Sequence, residues 1–104
     1  MKDDGITVHI GNTDIYEWTM GVGKDILMPK LFSAVENLIE NDLQTKLAAR
    51  VKALEGKKTF TFDFVVKRDN IDDTLEKILQ WALDREEYEM CSEIKKIQDK
   101  LYTF

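Results

Sequence analysis

The segment KKTFTFDFVVK, residues 57–67, alternates bulky apolar and smaller polar side chains with the period of two that a β-strand shows. One face of this strand carries Phe60, Phe62, Phe64 and Val66. Three aromatic rings on one face need a covering layer, and a helix packed on a sheet is a common one. This segment therefore predicts a fold in which helices pack on a β-sheet.

A second region with strand character lies near the N-terminus. ITVHI, residues 6–10, alternates apolar residues with Thr7 and His9, and GNTD, residues 11–14, is rich in turn formers. IYEWTM, residues 15–20, is rich in residues that favour strands. These residues predict an N-terminal β-hairpin, followed by a flexible loop that contains GVG.

Between the two strand regions, apolar residues recur at steps of three and four, which is typical of one face of a helix. The residues of this stripe are Leu31, Val35, Leu38, Ile39, Leu43, Leu47, Val51 and Leu54. They predict one long helix from about residue 29 to about residue 54, with Pro29 in its first turn and Gly56 after its end. We expect this helix to cover the Phe face of the strand.

The last third of the chain predicts two helices joined by a short turn. Asn70 is a favourable N-cap residue, and Asp84 followed by Glu87 matches a capping box for the second helix. The predicted order is β-β-α-β-α-α. It describes a single α+β domain over residues 1–104, with a small antiparallel sheet, a long covering helix and a C-terminal helical hairpin over residues 71–104.

The hairpin sequence carries a recognisable pattern of residues after the end of its first helix. The matching residues are Ala82, Tyr88-Glu89, Cys91-Ser92, Ile94, Lys95 and Ile97. This pattern resembles the UVR motif, a short helical hairpin at the ends of bacterial nucleotide-excision-repair subunits and in some protein-quality-control adaptors. The sequence departs from that motif at Cys91-Ser92, where two alanines are usual, and at Lys95-Lys96, where Arg-Asp is usual. The resemblance implies a hairpin that pairs with another hairpin, in the same or a different protein.

A two-helix hairpin cannot bury both of its apolar stripes by itself, so they pack either on the sheet of the same chain or on a partner. Aromatic residues and Met are enriched at protein interfaces. The predicted partner-binding residues are Trp81, Tyr88, Met90, Cys91 and Ile94. The favoured function is that of a small acidic adaptor or inhibitor that binds another protein, or itself as a homodimer, through the hairpin.

Two alternative functions remain open. A single-stranded nucleic-acid binder would stack bases on the Phe strand and contact phosphates with basic residues around it. The residues predicted for this alternative are Lys46, Arg50, Lys57, Lys58, Phe62, Lys67 and Arg68. The net charge of −5 disfavours it, because phosphates must be neutralised by clustered cations. The other alternative is a structural subunit of a homo-oligomer.

Motifs of catalysis and cofactor binding do not match. GVGK lacks the first Gly and the Ser or Thr of a phosphate-binding loop, and His9 has no nucleophile placed near it by any motif. The single Cys91 excludes an internal disulfide, and Asp69, Asp72 and Asp73 lack the spacing of a calcium loop. We expect a protein that is not an enzyme and that binds no cofactor or metal. Without an uncharged apolar run for a signal peptide or a membrane span, we also expect a cytoplasmic protein that does not bind a membrane.

Overall fold

The computed structural model describes residues 6–11 and 14–101, without the side chain of residue 55. The elements in chain order are β1 (Thr7–Ile10), α1 (Ile15–Met20), α2 (Val22–Glu40), β2 (Thr45–Glu55), β3 (Lys58–Lys67), a 3-10 turn (Arg68–Asn70), α3 (Ile71–Asp84) and α4 (Tyr88–Leu101). The predicted α+β class and the two C-terminal helices are confirmed, whereas the order of the elements before them differs from the prediction.

The strands form a mixed sheet in the order β1-β2-β3. β1 runs parallel to β2, with Thr7 opposite Arg50, and β2 runs antiparallel to β3, with Val51 opposite Phe62. Parallel neighbours require a crossover connection, and α1 and α2 form it. The prediction of an antiparallel sheet that begins with an N-terminal hairpin is therefore wrong.

The IYEWTM segment is a helix, α1, and not the second strand of a hairpin. Asp14 caps this helix, because its Oδ1 accepts a hydrogen bond from the Tyr16 N–H at 2.8 Å. Trp18 is buried against β2 and the start of α2. Burial of this ring and the cap outweigh the local preference for a strand. Asn12 and Thr13, which belong to the predicted turn, lie outside the described residues.

The predicted long helix is wrong in its second half, which forms β2. Helix α2 begins at Val22, so Pro29 lies in its interior, and it ends at Glu40. Asp42 then adopts a positive φ of 51°, and the Leu43 N–H donates to the Leu38 carbonyl at 2.8 Å. This left-handed residue ends the helix, and the chain returns as a strand beside β3.

A β-bulge in β2 explains why its alternation is hard to see in the sequence. Leu47 lies opposite Val65, but Ala49 lies opposite Phe64, so Ala48 is an extra residue in β2. After the bulge, the buried residues of β2 are Ala49, Val51 and Ala53. The bulge shifts the phase of the strand, and apolar residues before and after it then fall at helix-like spacing.

The GVG segment is not a loop. Gly21 lies between α1 and α2, and Gly23 is buried in the first turn of α2. A Cβ atom at Gly23 would lie 2.4 Å from the Trp18 carbonyl oxygen and 2.5 Å from Cε3 of its ring. Glycine is required here because α1 and α2 approach each other too closely for any side chain.

The four helices in the described part of the chain are associated with the sheet face that carries Val51 and Val66, which we call the helix face. The larger core cluster joins α2, α3 and α4 to this face and includes Phe32, Val35, Leu38, Val66, Leu75, Ile78, Leu79 and Ile94. A smaller cluster places α1 and the start of α2 on the middle of the sheet and includes Trp18, Leu27, Ala49 and Val51. The opposite sheet face carries His9, Arg50 and Asp63 and contributes none of these residues to either cluster.

Two rings of the Phe strand are not covered. Phe64 packs against the smaller cluster, whereas Phe60 is 42% exposed and Phe62 is 37% exposed. The expectation that a helix covers all three rings is wrong, because the hairpin of β2 and β3 extends beyond the part of the sheet on which the helices pack.

The turn between the last two helices differs from the predicted capping box. Asp84 is the last residue of α3, and α4 begins at Tyr88. Glu86 adopts a positive φ of 58°, and the Cys91 N–H donates to the Glu87 carbonyl at 3.0 Å. Glu87 therefore directly precedes the second helix instead of standing three residues inside it.

Candidate functional site

An open groove of about 760 Å³ lies between α2 and α3. Phe64 of β3 lines it together with residues of three helices. The lining from α1 and α2 is Thr19, Met20, Lys24, Leu27, Met28 and Leu31, and the lining from α3 and the turn after it is Glu76, Lys77, Gln80, Trp81, Asp84 and Arg85. We call this site the α2–α3 groove.

Two polar contacts hold the helices of the groove antiparallel. Near the start of α2, the Asp25 carboxylate accepts hydrogen bonds from the Trp81 Nε1–H at 3.0 Å and from Nη2 of Arg85 at 2.9 Å. At the other end, Nε of Arg68 donates to the Leu43 carbonyl at 2.9 Å. The start of α2 is thus joined to the end of α3, and the end of α2 is joined to the start of α3.

The apolar lining has the composition of a protein-binding surface. Met20, Met28, Phe64 and Trp81 are residue types that are enriched at interfaces, and the flexible thioether of Met adapts to different partner shapes. Met20 is 66% exposed. An exposed Met side chain loses unfavourable contact with water when another molecule covers it.

The charges in the α2–α3 groove differ from those of the whole chain. Its lining carries three cations and two carboxylates, whereas the chain has a net charge of −5. Lys24 and Lys77 lie on opposite walls, and neither forms an ion pair with any of the described residues. Because Arg85 pairs with Asp25, the groove is close to neutral, and the ammonium groups of Lys24 and Lys77 are the positive charges that it presents.

The five predicted partner-binding residues occupy different environments. Trp81 lines the groove, and Tyr88 is 65% exposed at the start of α4. Met90 is half-buried against the larger core cluster, while Cys91 and Ile94 are buried in it. Cys91 and Ile94 are covered by their own chain because α4 packs its apolar stripe on α2 and α3. These two residues contribute to the core and not to an exposed surface.

The residues predicted for nucleic-acid binding are not brought together. Lys46 and Arg50 lie in β2, on either side of the bulge, in register with Val66 and Asp63. Because these two β3 residues are an odd number of positions apart, the two cations are on opposite faces of the sheet. The other basic residues of this prediction are divided between the two ends of β3, with Lys57 and Lys58 at one end and Lys67 and Arg68 at the other.

Two of those basic residues have partners in the structure. Nε of Arg50 donates to Oδ1 of Asp63 at 2.8 Å, and this hydrogen bond, together with the positive charge of Arg50, lowers the pKa of the Asp63 carboxyl. Arg68 forms an ion pair with Asp42 at 3.2 Å in addition to its contact with the end of α2. Phe62 is exposed on the helix face, which is the face opposite Arg50.

One acidic group near the larger core has a shifted pKa. Partial burial raises the pKa of Glu36 in α2, and the nearby carboxylates of Glu93 in α4 and Glu40 raise it further. The shift places an acidic residue of α4 close to α2, so like charges face each other across this helix contact.

The sequence interpretation missed Asp25, Lys24, Met20 and Met28, which all belong to the segment that it divided between a strand, a loop and the start of a helix. Asp25 and Trp81 are 56 positions apart. No local pattern relates them, since their contact depends on the antiparallel packing of α2 on α3. The signal that could have drawn attention to this segment is its content of two of the four methionines of the chain.

Comparison of the chain with protein-family models, with curated proteins and with solved structures gives no match. The resemblance of the hairpin to a UVR motif therefore stays a prediction. Within residues 6–11 and 14–101, no three His, Cys, Asp or Glu side chains are grouped so that they could hold a metal ion. In the same ranges, no helix has the length and apolar character needed to cross a membrane.

Proposed function

We propose that this protein is a non-enzymatic adaptor or inhibitor that binds an amphipathic helix of another protein in the α2–α3 groove. The observation that carries the proposal is the groove itself, with Met20, Met28, Phe64 and Trp81 in its lining. Two helices separated by an apolar channel are one of the recurring ways in which proteins bind a helical peptide.

The size of the groove sets the length of the bound segment. The α3 wall extends from Glu76 to Arg85, which corresponds to about 14 Å along the helix axis at 1.5 Å per residue. A partner helix of about three turns spans this length and places apolar residues at positions i, i+3 or i+4, and i+7 on the lining.

The charge of the groove sets the chemistry of the partner. Lys24 and Lys77 stand on opposite walls and have no anionic partner among the described side chains. A partner helix with Glu or Asp on both flanks of its apolar face would place carboxylates beside these ammonium groups. Such contacts at the rim of an interface favour correct partners and faster association more than they add affinity.

A pair of synthetic helical peptides tests this proposal. Both are about twelve residues long and carry the same Leu and Phe face, but one has Glu on its flanks and the other has Lys. We expect the Glu peptide to bind more tightly in a fluorescence anisotropy titration. We also expect it to shift the NMR signal of the Trp81 indole N–H, because Trp81 lines the groove, and to leave that of buried Trp18 unchanged.

Charge reversal provides the matched control. The double variant Lys24→Glu with Lys77→Glu should weaken binding of the Glu peptide roughly tenfold and improve binding of the Lys peptide. Lys95→Glu, an exposed change on α4 outside the groove, should leave both affinities unchanged. Equal affinity for the two peptides, or a shift of Trp18 instead of Trp81, would refute the proposal.

A further inference from the structure

The outer edge of β3 is unpaired in the described part of the chain. β3 is the last strand of the order β1-β2-β3, and it runs without a proline or a bulge from Lys58 to Lys67, since the extra residue of the bulge belongs to β2. A long, regular edge strand presents a row of backbone N–H and C=O groups to which another strand can pair.

The backbone contacts of β2 identify which residues of β3 face this edge. The Arg50 N–H donates to the Ile6 carbonyl at 3.0 Å, so the backbone groups of Arg50 point toward β1. Successive residues of a strand alternate in direction, and Val51 therefore points toward its partner Phe62 in β3. It follows that Thr59, Thr61 and Asp63 direct their backbone groups to the outer edge.

The same part of β3 carries the two uncovered rings. Phe60 and Phe62 are exposed on the helix face, and they are not part of the lining of the α2–α3 groove. Two exposed aromatic rings beside an unpaired strand edge form a surface that pairing with a further strand would partly cover.

We propose that β3 pairs with β3 of a second copy of this chain, antiparallel and about a two-fold axis at Thr61, to form a continuous six-stranded sheet. In this register Phe60 lies opposite Phe62 of the second copy, and Phe62 lies opposite its Phe60, so two pairs of exposed rings meet. Thr59 lies opposite Asp63 on the other face, where its hydroxyl can donate to the carboxylate. The backbone forms about six hydrogen bonds between the copies.

Ring exposure, charge and length favour this register over its neighbours. An axis at Phe62 pairs the exposed Phe60 with Phe64, which already packs against the smaller core cluster, and an axis at Asp63 places this carboxylate opposite itself. Like charges directly opposite each other destabilise a strand pair. An axis at Phe60 avoids both conflicts, but it pairs only residues 58–62 of each strand, whereas the axis at Thr61 pairs residues 58–64.

This interaction and the α2–α3 groove can be tested separately, because the variants that disrupt the β3 pairing lie outside the groove lining. It assigns the open end of the sheet to self-association and leaves the groove free for a different protein. The dimer would then present two grooves, one from each copy.

Cysteine cross-linking tests the register. Thr61 and its counterpart would be a hydrogen-bonded pair about 5.5 Å apart between Cα atoms, which is within the range that a disulfide spans. We expect Thr61→Cys to give a disulfide-linked dimer under mild oxidation. Thr59→Cys is the matched control: it lies on the same exposed face, but its two copies would be about 14 Å apart and should not cross-link. The wild-type chain should not cross-link either, since its Cys91 is buried.

Sedimentation velocity on charged variants tests the pairing without a new cysteine. Phe60→Lys and Phe62→Glu should each weaken the dimer, and a mixture of the two should form a heterodimer in which the introduced lysine of one copy faces the introduced glutamate of the other. Each variant must give the circular dichroism spectrum of the wild type. A wild-type chain that is monomeric from micromolar to millimolar concentration, or cross-linking at position 59 instead of 61, would overturn the proposal.

Discussion

The two ends of β3 differ sharply although they share one strand and one face. Val66, at the end that leads into α3, is only 1% exposed, whereas Phe62, four residues earlier, is 37% exposed. Helices α2, α3 and α4 pack around Val66, and no described element covers Phe62. Alternation in a sequence thus shows which side chains share a face, but the length and position of the neighbouring helices decide which of them are buried.

The largest expected effect comes from the covered end. Ile94 is fully buried in the cluster that contains Val66, so Ile94→Ala should reduce the free energy of unfolding by about 2–5 kcal/mol. Phe62→Thr, which retains a residue that favours strands, should change it by about 1 kcal/mol or less. Urea denaturation of both variants measures the difference. Equal losses would contradict the distinction between the two ends.

A smaller effect is expected where α1 meets α2. Replacement of a helical glycine by alanine usually stabilises a helix, by about 1 kcal/mol. At Gly23 the new methyl group would collide with the backbone and ring of Trp18, so Gly23→Ala should instead destabilise the protein by about 1–3 kcal/mol. Thermal denaturation measures this. Gly11→Ala is the control, because a Cβ at Gly11 has open space around it and should have little effect.

The hydrogen bonds that Asp25 accepts at one end of the α2–α3 groove should contribute less to stability than the contacts of Ile94 or Gly23. Asp25→Ala removes the acceptor of the Trp81 and Arg85 hydrogen bonds, which are partly exposed, and should cost about 1 kcal/mol. The indole N–H signal of Trp81 should shift in the NMR spectrum, because it loses its acceptor. Asp84→Ala, also in the groove lining but without such a contact, should leave that signal in place. An unchanged chemical shift of the Trp81 indole N–H in Asp25→Ala would contradict a hydrogen bond from this indole to the Asp25 carboxylate.

The smallest expected effect concerns the pH dependence of stability at the covered end of β3, where the helices pack. The pKa of Glu36 is raised above its ordinary value of 4.5, so the folded state holds its proton more tightly than the unfolded state does. The Glu36 contribution therefore favours folding below that value and is lost as the pH rises through the raised pKa. Glu36→Gln should remove this decline and increase stability at neutral pH, as measured by urea denaturation at about pH 4 and about pH 7.

A second variant separates the causes of the Glu36 shift. Glu93→Gln removes one of the neighbouring charges and should also increase stability at neutral pH, but by a smaller amount, because burial is the larger cause. The double variant should gain less than the sum of the two single gains, since the repulsion is shared. Strict additivity would show that the two carboxylates do not interact.

The sequence predicted best the segments whose pattern is strong and local. In α3 and α4 the apolar residues follow a helical period without interruption, and both helices are present. The strand prediction for the IYEWTM segment failed because it could not include the packing of Trp18 on α2. This packing depends on the close approach of Trp18 to Gly23, which no short-range sequence pattern indicates. The prediction for the β2 segment failed because Leu43, Leu47 and Val51 have helical spacing. In the structure, the left-handed residue Asp42 precedes Leu43 and ends the helix. The bulge after Leu47 then shifts the alternation of the strand before Val51.

The α2–α3 groove was not predicted, although residues of its lining were named in the sequence analysis, among them Trp81 as a partner-binding residue and Phe64 as part of the Phe strand. Its other wall is formed by residues of α1 and α2 that the sequence interpretation assigned to a strand and a loop. The predicted fold therefore had no pair of helices that could form this groove. The polar contacts that align the helices, from Asp25 and Arg68, join residues that are 25 or more positions apart. Such pairs follow from the fold and are not visible before it.

The parallel pairing of β1 has a consequence for the order in which the chain folds. The hairpin of β2 and β3 closes through a turn of two residues, whereas Thr7 finds Arg50 about 43 positions later, after α1 and α2 have formed the connection. Contacts between distant positions are entropically costly and form late. We therefore expect the folding nucleus to contain the β2–β3 hairpin and the helices that pack on it. β1 is only four residues long, and we expect it to be the last strand to join the sheet and the first to exchange its amide hydrogens with water.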